Sequence, residues 1–308
     1  MNLDALKELS ILATGKINEF SENVLKTRGG RIGSGMGLLI EALWGYYINT
    51  ELEREDFEIG WFPDHQYNDF VCLRKNEEWN KQTKEGEEYR MEVKSMNFGA
   101  DESKGHFDVL SSEIGESDLL IVIIWEWEQI TNHHSVPKIK DQYIGLAQDV
   151  IILRDALHET RGGIFVTKEN CPEQDCECAE DYCSYAGEPL NAKGKRERLK
   201  GPPSARPSQK VSYAANFGGL IRMIKTSGID SRTKFRELRK ANPSIDEYIS
   251  FIHRNYLSEE ENQYTRNEWN TIASLYNIDT SSLSKKEIIN LVRENISEYH
   301  AALRDNLE

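Results

Sequence analysis

The sequence predicts an α/β protein: a mixed central β-sheet flanked by helices, with a Cys-rich insertion and a helical C-terminal subdomain. Three observations lead there. Leu119 to Trp127 is a nearly continuous apolar, β-branched and aromatic run, the mark of a strand covered on both faces. Helical and extended patterns lie on either side of it, as a core of packed sheet and helix layers requires. After Gly163 the composition shifts to clustered cysteines, then to a basic, proline-containing stretch, then to helix-forming sequence. These shifts divide the chain into a core over 1–163, a Cys-rich and basic segment over 164–210, and a mostly helical region over 211–308.

Taken in order, Thr14 to Glu53 opens helical and passes a glycine-rich turn at Gly29, Gly30, Gly33, Gly35 and Gly37. It resumes at Leu38-Leu39-Ile40-Glu41-Ala42-Leu43-Trp44 as a mostly buried helix. Phe57 to Phe62, Phe70 to Leu73 and Tyr89 to Met96 read as strands, the last two joined by the polar, Gly86-containing stretch Lys75 to Glu88. After the central strand, Lys138 to Leu146 reads as another strand and Ala147 to Glu159 as a helix. Further on, Ile245 to Tyr256 and Glu268 to Tyr276 are helical. Ser284 with Glu287 forms a capping box that opens a final helix.

Composition narrows the function. With 52 acidic against 38 basic residues the net charge is -14, yet Lys193 to Lys240 holds 14 basic and 3 acidic residues, about +11. An acidic body with one basic segment suggests a surface for a phosphate backbone, where clustered Lys and Arg release condensed counterions. Lys193, Lys195, Arg196, Arg198, Lys200, Arg206 and Lys210 are the candidate contacts. Asn216 is a candidate base reader, since an Asn side chain bridges adenine bidentately. The longest apolar run, Leu119 to Trp125, falls far short of the roughly 20 residues of a membrane span. Met1 to Lys16 lacks the basic-then-apolar order of a secretory signal, so a cytoplasmic compartment is expected.

Four of the five cysteines, Cys171, Cys176, Cys178 and Cys183, crowd within thirteen residues. In a reducing compartment this points to a structural Zn²⁺ clamp on a short loop, with free thiols or an iron–sulfur cluster as the other readings. Cys72 belongs to the core.

The chemistry concentrates earlier. Asp69 immediately precedes the strand Phe70-Val71-Cys72-Leu73, and the next strand contains Met91-Glu92-Val93-Lys94. Alternate residues of a strand share a face, so Glu92 and Lys94 project together while Val93 points into the packing. Two carboxylates and a backbone carbonyl suit a hard cation. Asp69, Glu92 and the carbonyl of Val93 would hold Mg²⁺ with waters completing the shell. Lys94 would orient the attacking water or help deprotonate it, and stabilise charge growing on phosphate.

The series Pro63-Asp64, Asp69, Glu92-Val93-Lys94 resembles the PD-(D/E)xK nuclease superfamily, and within it the type II restriction endonucleases, over roughly 30–128. The resemblance implies a restriction-endonuclease-like core with the acids on a hairpin of strands, and a preceding helix whose glutamate assists the metal. Glu41 matches that position. Pro63-Asp64 supplies the family's literal dipeptide, whereas Asp69 has the better place at a strand start, so Asp69 is favoured as the metal-binding aspartate with Asp64 as the alternative. The function implied is Mg²⁺-dependent cleavage of double-stranded DNA at a specific, palindromic site by a homodimer. A structure-directed repair or recombination nuclease and a non-catalytic zinc-containing DNA-binding protein are the alternatives. His133-His134 reads as a surface loop, Trp125 and Trp127 as sheet packing. Residues 267–295 faintly resemble helix–loop–helix DNA-binding modules of the SAP kind.

Overall fold

The computed structural model describes residues 1–26, 33–62, 68–99, 107, 109–160, 163–169, 186–190, 219, 237–238, 241–256 and 266–305. Helix α1 spans Leu3–Val24. Asn2 caps it by accepting a 2.8 Å hydrogen bond from the Ala5 N–H, and Asp4 lies in its first turn, both favourable at a helix N-terminus. Helix α2 runs Gly33–Glu51. Here the structure departs from expectation, because Gly33, Gly35 and Gly37 lie inside the helix and not in a turn before it.

Five strands follow: β1 (Phe57–Trp61), β2 (Phe70–Arg74), β3 (Glu87–Asn97), β4 (Leu119–Thr131) and β5 (His134–Leu146), forming one sheet in the order β1-β2-β3-β4-β5. β1, β2 and β3 form an antiparallel meander, β3 and β4 are parallel, and β4 and β5 are an antiparallel hairpin. The fold is therefore mixed α/β, a five-stranded mixed sheet flanked by helices. β5 begins four residues before the expected strand, because its first part, His134 to Pro137, lacks an apolar run but pairs with β4. Pro137 is tolerated there because β5 is an edge strand.

The central strand explains its own composition. Leu119, Ile121, Ile123 and Trp125 pack with α1 and α2, while Leu120, Val122 and Ile124 pack on the opposite face. That face is covered by α3 (Ala147–Thr160) and α4 (Pro243–Tyr256), the latter through Ile245, Tyr248, Ile249, Phe251 and Ile252. Each of these seven β4 residues is at most 2% exposed, and burying a side chain of this size is worth roughly 1.5–3 kcal/mol.

The parallel step from β3 to β4 needs a crossover. Arg154 of α3, only 1% exposed, donates from Nη1 to the carbonyls of Phe107 (2.8 Å) and Val109 (2.7 Å), fixing that connection to the helix. Helices α5 (Arg266–Leu275) and α6 (Lys285–Asp305) share a small cluster of their own around Trp269, Ile288 and Val292. The expected capping box is present: Ser284 N–H donates to Glu287 Oε2 (2.7 Å) and Glu287 N–H to Ser284 Oγ (3.3 Å). A two-residue ribbon, β6 (Ile164–Phe165) with β7 (Pro189–Leu190), completes the described elements. Among the described residues no helix is long and apolar enough to cross a membrane.

Candidate active site

One helical row of α2 positions the site. Gly37, Glu41, Gly45 and Asn49 recur every fourth residue, so they share a face. A Cβ on Gly37 would lie 2.9 Å from Ser95 Oγ on β3, and one on Gly45 would lie 2.8 Å from Cζ of Phe70 on β2. Asn49 accepts a 3.1 Å hydrogen bond from Ile59 N–H on β1. The helix thus crosses β3, β2 and β1 in turn, with glycine where it must approach closest. Its apolar row, Met36, Ile40, Trp44 and Ile48, is at most 1% exposed.

Between the two glycines stands Glu41. Its Oε1 accepts a 2.9 Å hydrogen bond from the backbone N–H of Ser95. Asp69 uses Oδ2 in the same way toward the N–H of Val93, at 2.9 Å. The reason both carboxylates find amides is topological. β2 begins at Phe70 while β3 continues to Asn97, so beyond Met91 the flank of β3 that had faced β2 needs new acceptors. A residue's N–H and C=O point to the same side of a strand, and the carbonyl of Val93 therefore faces the Asp69 side as well.

Glu92 and Lys94 project from the same face of β3 and form an ion pair through Glu92 Oε1. Val93 is 1% exposed within the core, as alternation requires. Glu92 is itself only 5% exposed, and among the described residues its second oxygen, Oε2, has no hydrogen-bond partner. Two further polar atoms of this region, Asn68 Nδ2 and Ser95 Oγ, are also buried without partners. Leaving a buried polar group unmatched costs on the order of 1–3 kcal/mol, so these atoms favour a partner such as a water or a cation.

The electrostatics agree. Burial, reinforced by the charges of Asp69 and Glu41 and only partly opposed by Lys94, pushes the Glu92 carboxyl from the ordinary 4.5 to about 8. Glu41 is pushed to about 7, again mainly by burial and the charge of Asp69, against the Ser95 N–H and Lys94. Lys94 is raised: burial acts to lower it, but Glu92, Asp69 and Glu41 together outweigh that and keep the ammonium protonated. Three carboxylates and one ammonium, when all are ionised, leave a charge of -2, which a divalent cation complements.

The donors are all oxygen, which suits Mg²⁺, and the unmatched Glu92 Oε2 is a ready ligand. Among the described residues no three His, Cys, Asp or Glu side chains form a group able to hold a metal ion as they stand. Asp69 and Glu41 are turned to backbone amides, and Glu92 to Lys94. A Mg²⁺ site commonly uses one or two carboxylates and several waters, a set that Asp69 and Glu92 would supply.

The sequence-derived candidates Asp69, Glu92, Val93, Lys94 and Glu41 thus come together. Ser95 and Asn68 belong to the same place without a signal in the sequence, and so does Gly37, which the sequence suggests for a turn although its four-residue spacing with Glu41 and Gly45 marks a shared helical face. Pro63, Asp64, Cys171, Cys176, Cys178, Cys183, Lys193, Lys195, Arg196, Arg198, Lys200, Arg206, Lys210 and Asn216 lie outside the described residues. Cys72 is fully buried in β2, and the rings of Trp125 and Trp127 pack edge to face. His134 opens β5 directly after the hairpin turn. Comparison with protein-family models, with curated proteins and with solved structures finds no match.

Proposed function

We propose that this protein is a Mg²⁺-dependent endonuclease of the PD-(D/E)xK type that cuts double-stranded DNA at a specific site, as type II restriction enzymes do. The observation that carries the reading is the gathering of Glu41, Asp69, Glu92 and Lys94 where β2 leaves β3, with Glu92 buried and one of its oxygens unmatched. A meander whose second strand directly follows the aspartate and whose third carries Glu-x-Lys supports it further.

Asp69 and Glu92, with the carbonyl of Val93, would hold Mg²⁺, which would supply an acidified water and charge neutralisation at the scissile phosphate. Lys94, kept protonated, stabilises negative charge on the phosphate oxygens and does not act as the base. Glu41, with a carboxyl near pH 7, is suited to accept the proton of the attacking water. Water oxygen bonds to phosphorus, the bond to the 3′ oxygen breaks, that oxygen takes a proton from solvent to become a 3′-hydroxyl, and a 5′-phosphate remains. The basic segment from Lys193 to Lys210 binds the DNA backbone, and a two-fold homodimer brings one site to each strand of a palindrome. The four clustered cysteines, as a Zn²⁺ clamp, would brace that segment.

The test is incubation of purified protein with unmethylated phage or plasmid DNA in Mg²⁺ and in EDTA. Discrete Mg²⁺-dependent fragments are expected, lost in Glu92→Ala while DNA binding persists. A smear would replace the site-specific reading with a structure-directed nuclease. Intact DNA in every lane would leave a DNA-binding protein without catalysis.

A further inference from the structure

The chain enters β2 through Asn68 and Asp69. Asp69 is fixed through three of its groups. Its N–H donates to the carbonyl of Met91 and its carbonyl accepts from the N–H of Phe62, each at 3.0 Å, while its carboxylate accepts from the N–H of Val93 at 2.9 Å. Consecutive Cα atoms lie about 3.8 Å apart, so Asn68 is held beside the stretch of β3 that carries Glu92. Asn68 is 6% exposed, and among the described residues its Nδ2 has no hydrogen-bond partner. An exposed amide is matched by bulk water, whereas a buried one must find its acceptor in a ligand or a trapped water.

The unmatched atoms of this place complement what a phosphodiester and a cation bring. Glu92 Oε2 is an acceptor without a donor, and Asn68 Nδ2 is a donor without an acceptor. The other donors are committed: Lys94 pairs with Glu92, and the N–H groups of Val93 and Ser95 serve Asp69 and Glu41. The unmatched Ser95 hydroxyl lies under α2, where a Cβ on Gly37 would be 2.9 Å from it, so the helix roofs it. We propose that Asn68 is a further catalytic residue, whose Nδ2 donates to a non-bridging oxygen of the scissile phosphate in paired DNA and stabilises the negative charge that grows there as water attacks. This rests on the nuclease reading of the acid cluster and adds to it a neutral donor distinct from the metal and the lysine. The amide keeps its protons throughout, and a fixed donor aimed at developing charge is worth about a hundredfold or more in rate.

The test compares wild type with Asn68→Leu, which keeps the approximate volume of the side chain and removes the donor, on a synthetic duplex carrying the mapped cleavage site. Asn68→Leu should cleave about a hundredfold more slowly, with duplex binding in EDTA and Mg²⁺ affinity within about twofold of wild type. It should be at least as stable in urea, since no hydrogen bond of the free protein is lost. Sulfur is then placed at each non-bridging oxygen of the scissile phosphate in turn. At one of the two it should slow wild type about tenfold more than the variant, which has already lost that contact. Asn68→Ala carries the same comparison if Asn68→Leu does not fold. Unchanged cleavage in the variants, equal sulfur effects in wild type and variants, or a loss of cleavage that tracks a loss of Mg²⁺ affinity would overturn the proposal; the first would give the amide a trapped water, the last would make Asn68 a support for Asp69. A wild-type chain that cuts no DNA in Mg²⁺ is the separate failure of the nuclease reading, whereas this proposal fails when wild type cuts and the differences are absent.

Discussion

Replacing Glu92 with glutamine removes a charge that the fold accommodates poorly, and the consequence for stability can be worked out. The side chain is 5% exposed and its carboxyl is raised from 4.5 to about 8. At about 1.36 kcal/mol per pKa unit, ionising it in the folded chain costs at most about 5 kcal/mol. Solvent relaxation and the weakened pairing of Lys94 in the variant reduce the gain, and about 2 kcal/mol of stabilisation is expected at pH 9 in EDTA. The sign follows from linkage. Between pH 4.5 and 8 the folded chain retains a proton that the unfolded chain has lost, so wild-type stability falls as pH rises through that window. Glu92→Gln should lack this slope, matching wild type near pH 4 and exceeding it near pH 9, while losing all cleavage. Urea unfolding at pH 5, 7 and 9 reads both curves. Parallel curves, or a variant less stable than wild type at pH 9, would refute the reasoning.

Other expectations follow from the same geometry. Gly45→Ala forces a methyl against the ring of Phe70, which is fully buried; overpacking less the helix-propensity gain should cost about 2 kcal/mol in urea unfolding. Gly37→Ala crowds the Ser95 hydroxyl at 2.9 Å and meets its carbonyl oxygen only at an ordinary 3.9 Å; it should lower cleavage about tenfold by moving Glu41, with Gly37→Ala/Ser95→Ala recovering activity. Mg²⁺ affinity, followed by calorimetry, should rise between about pH 6 and 9 as Glu41 and Glu92 lose their protons. Arg154→Met leaves two crossover carbonyls unmatched, and a loss of about 3 kcal/mol is expected by the same unfolding assay.

Much of the site was legible because it depends on local periods. Glu92 and Lys94 share a face in any strand, and Asp69 before an apolar run marks a strand start. What could not be read was depth. Nothing in Glu-Val-Lys says that Glu92 will be nearly buried, since that follows from β4 and from the helices packed on both sides of the sheet. The glycines of α2 misled for a related reason. Glycine is read as a turn former from propensity, but Gly37 and Gly45 are needed for close approach to β3 and β2, which exists only once the sheet is assembled. The helical period of 243–256 was equally plain. Its partner was not, because an apolar face does not announce which surface it meets.

The docking of α4 on the sheet also governs how the basic segment can be studied. α3 and α4 are both anchored in one core, on either side of the basic segment in the sequence. Truncation after residue 200 would remove Ile245, Tyr248 and Phe251 from that core and confound charge with folding. Charge-neutral replacements between Lys193 and Lys210, leaving α4 in place, separate the two.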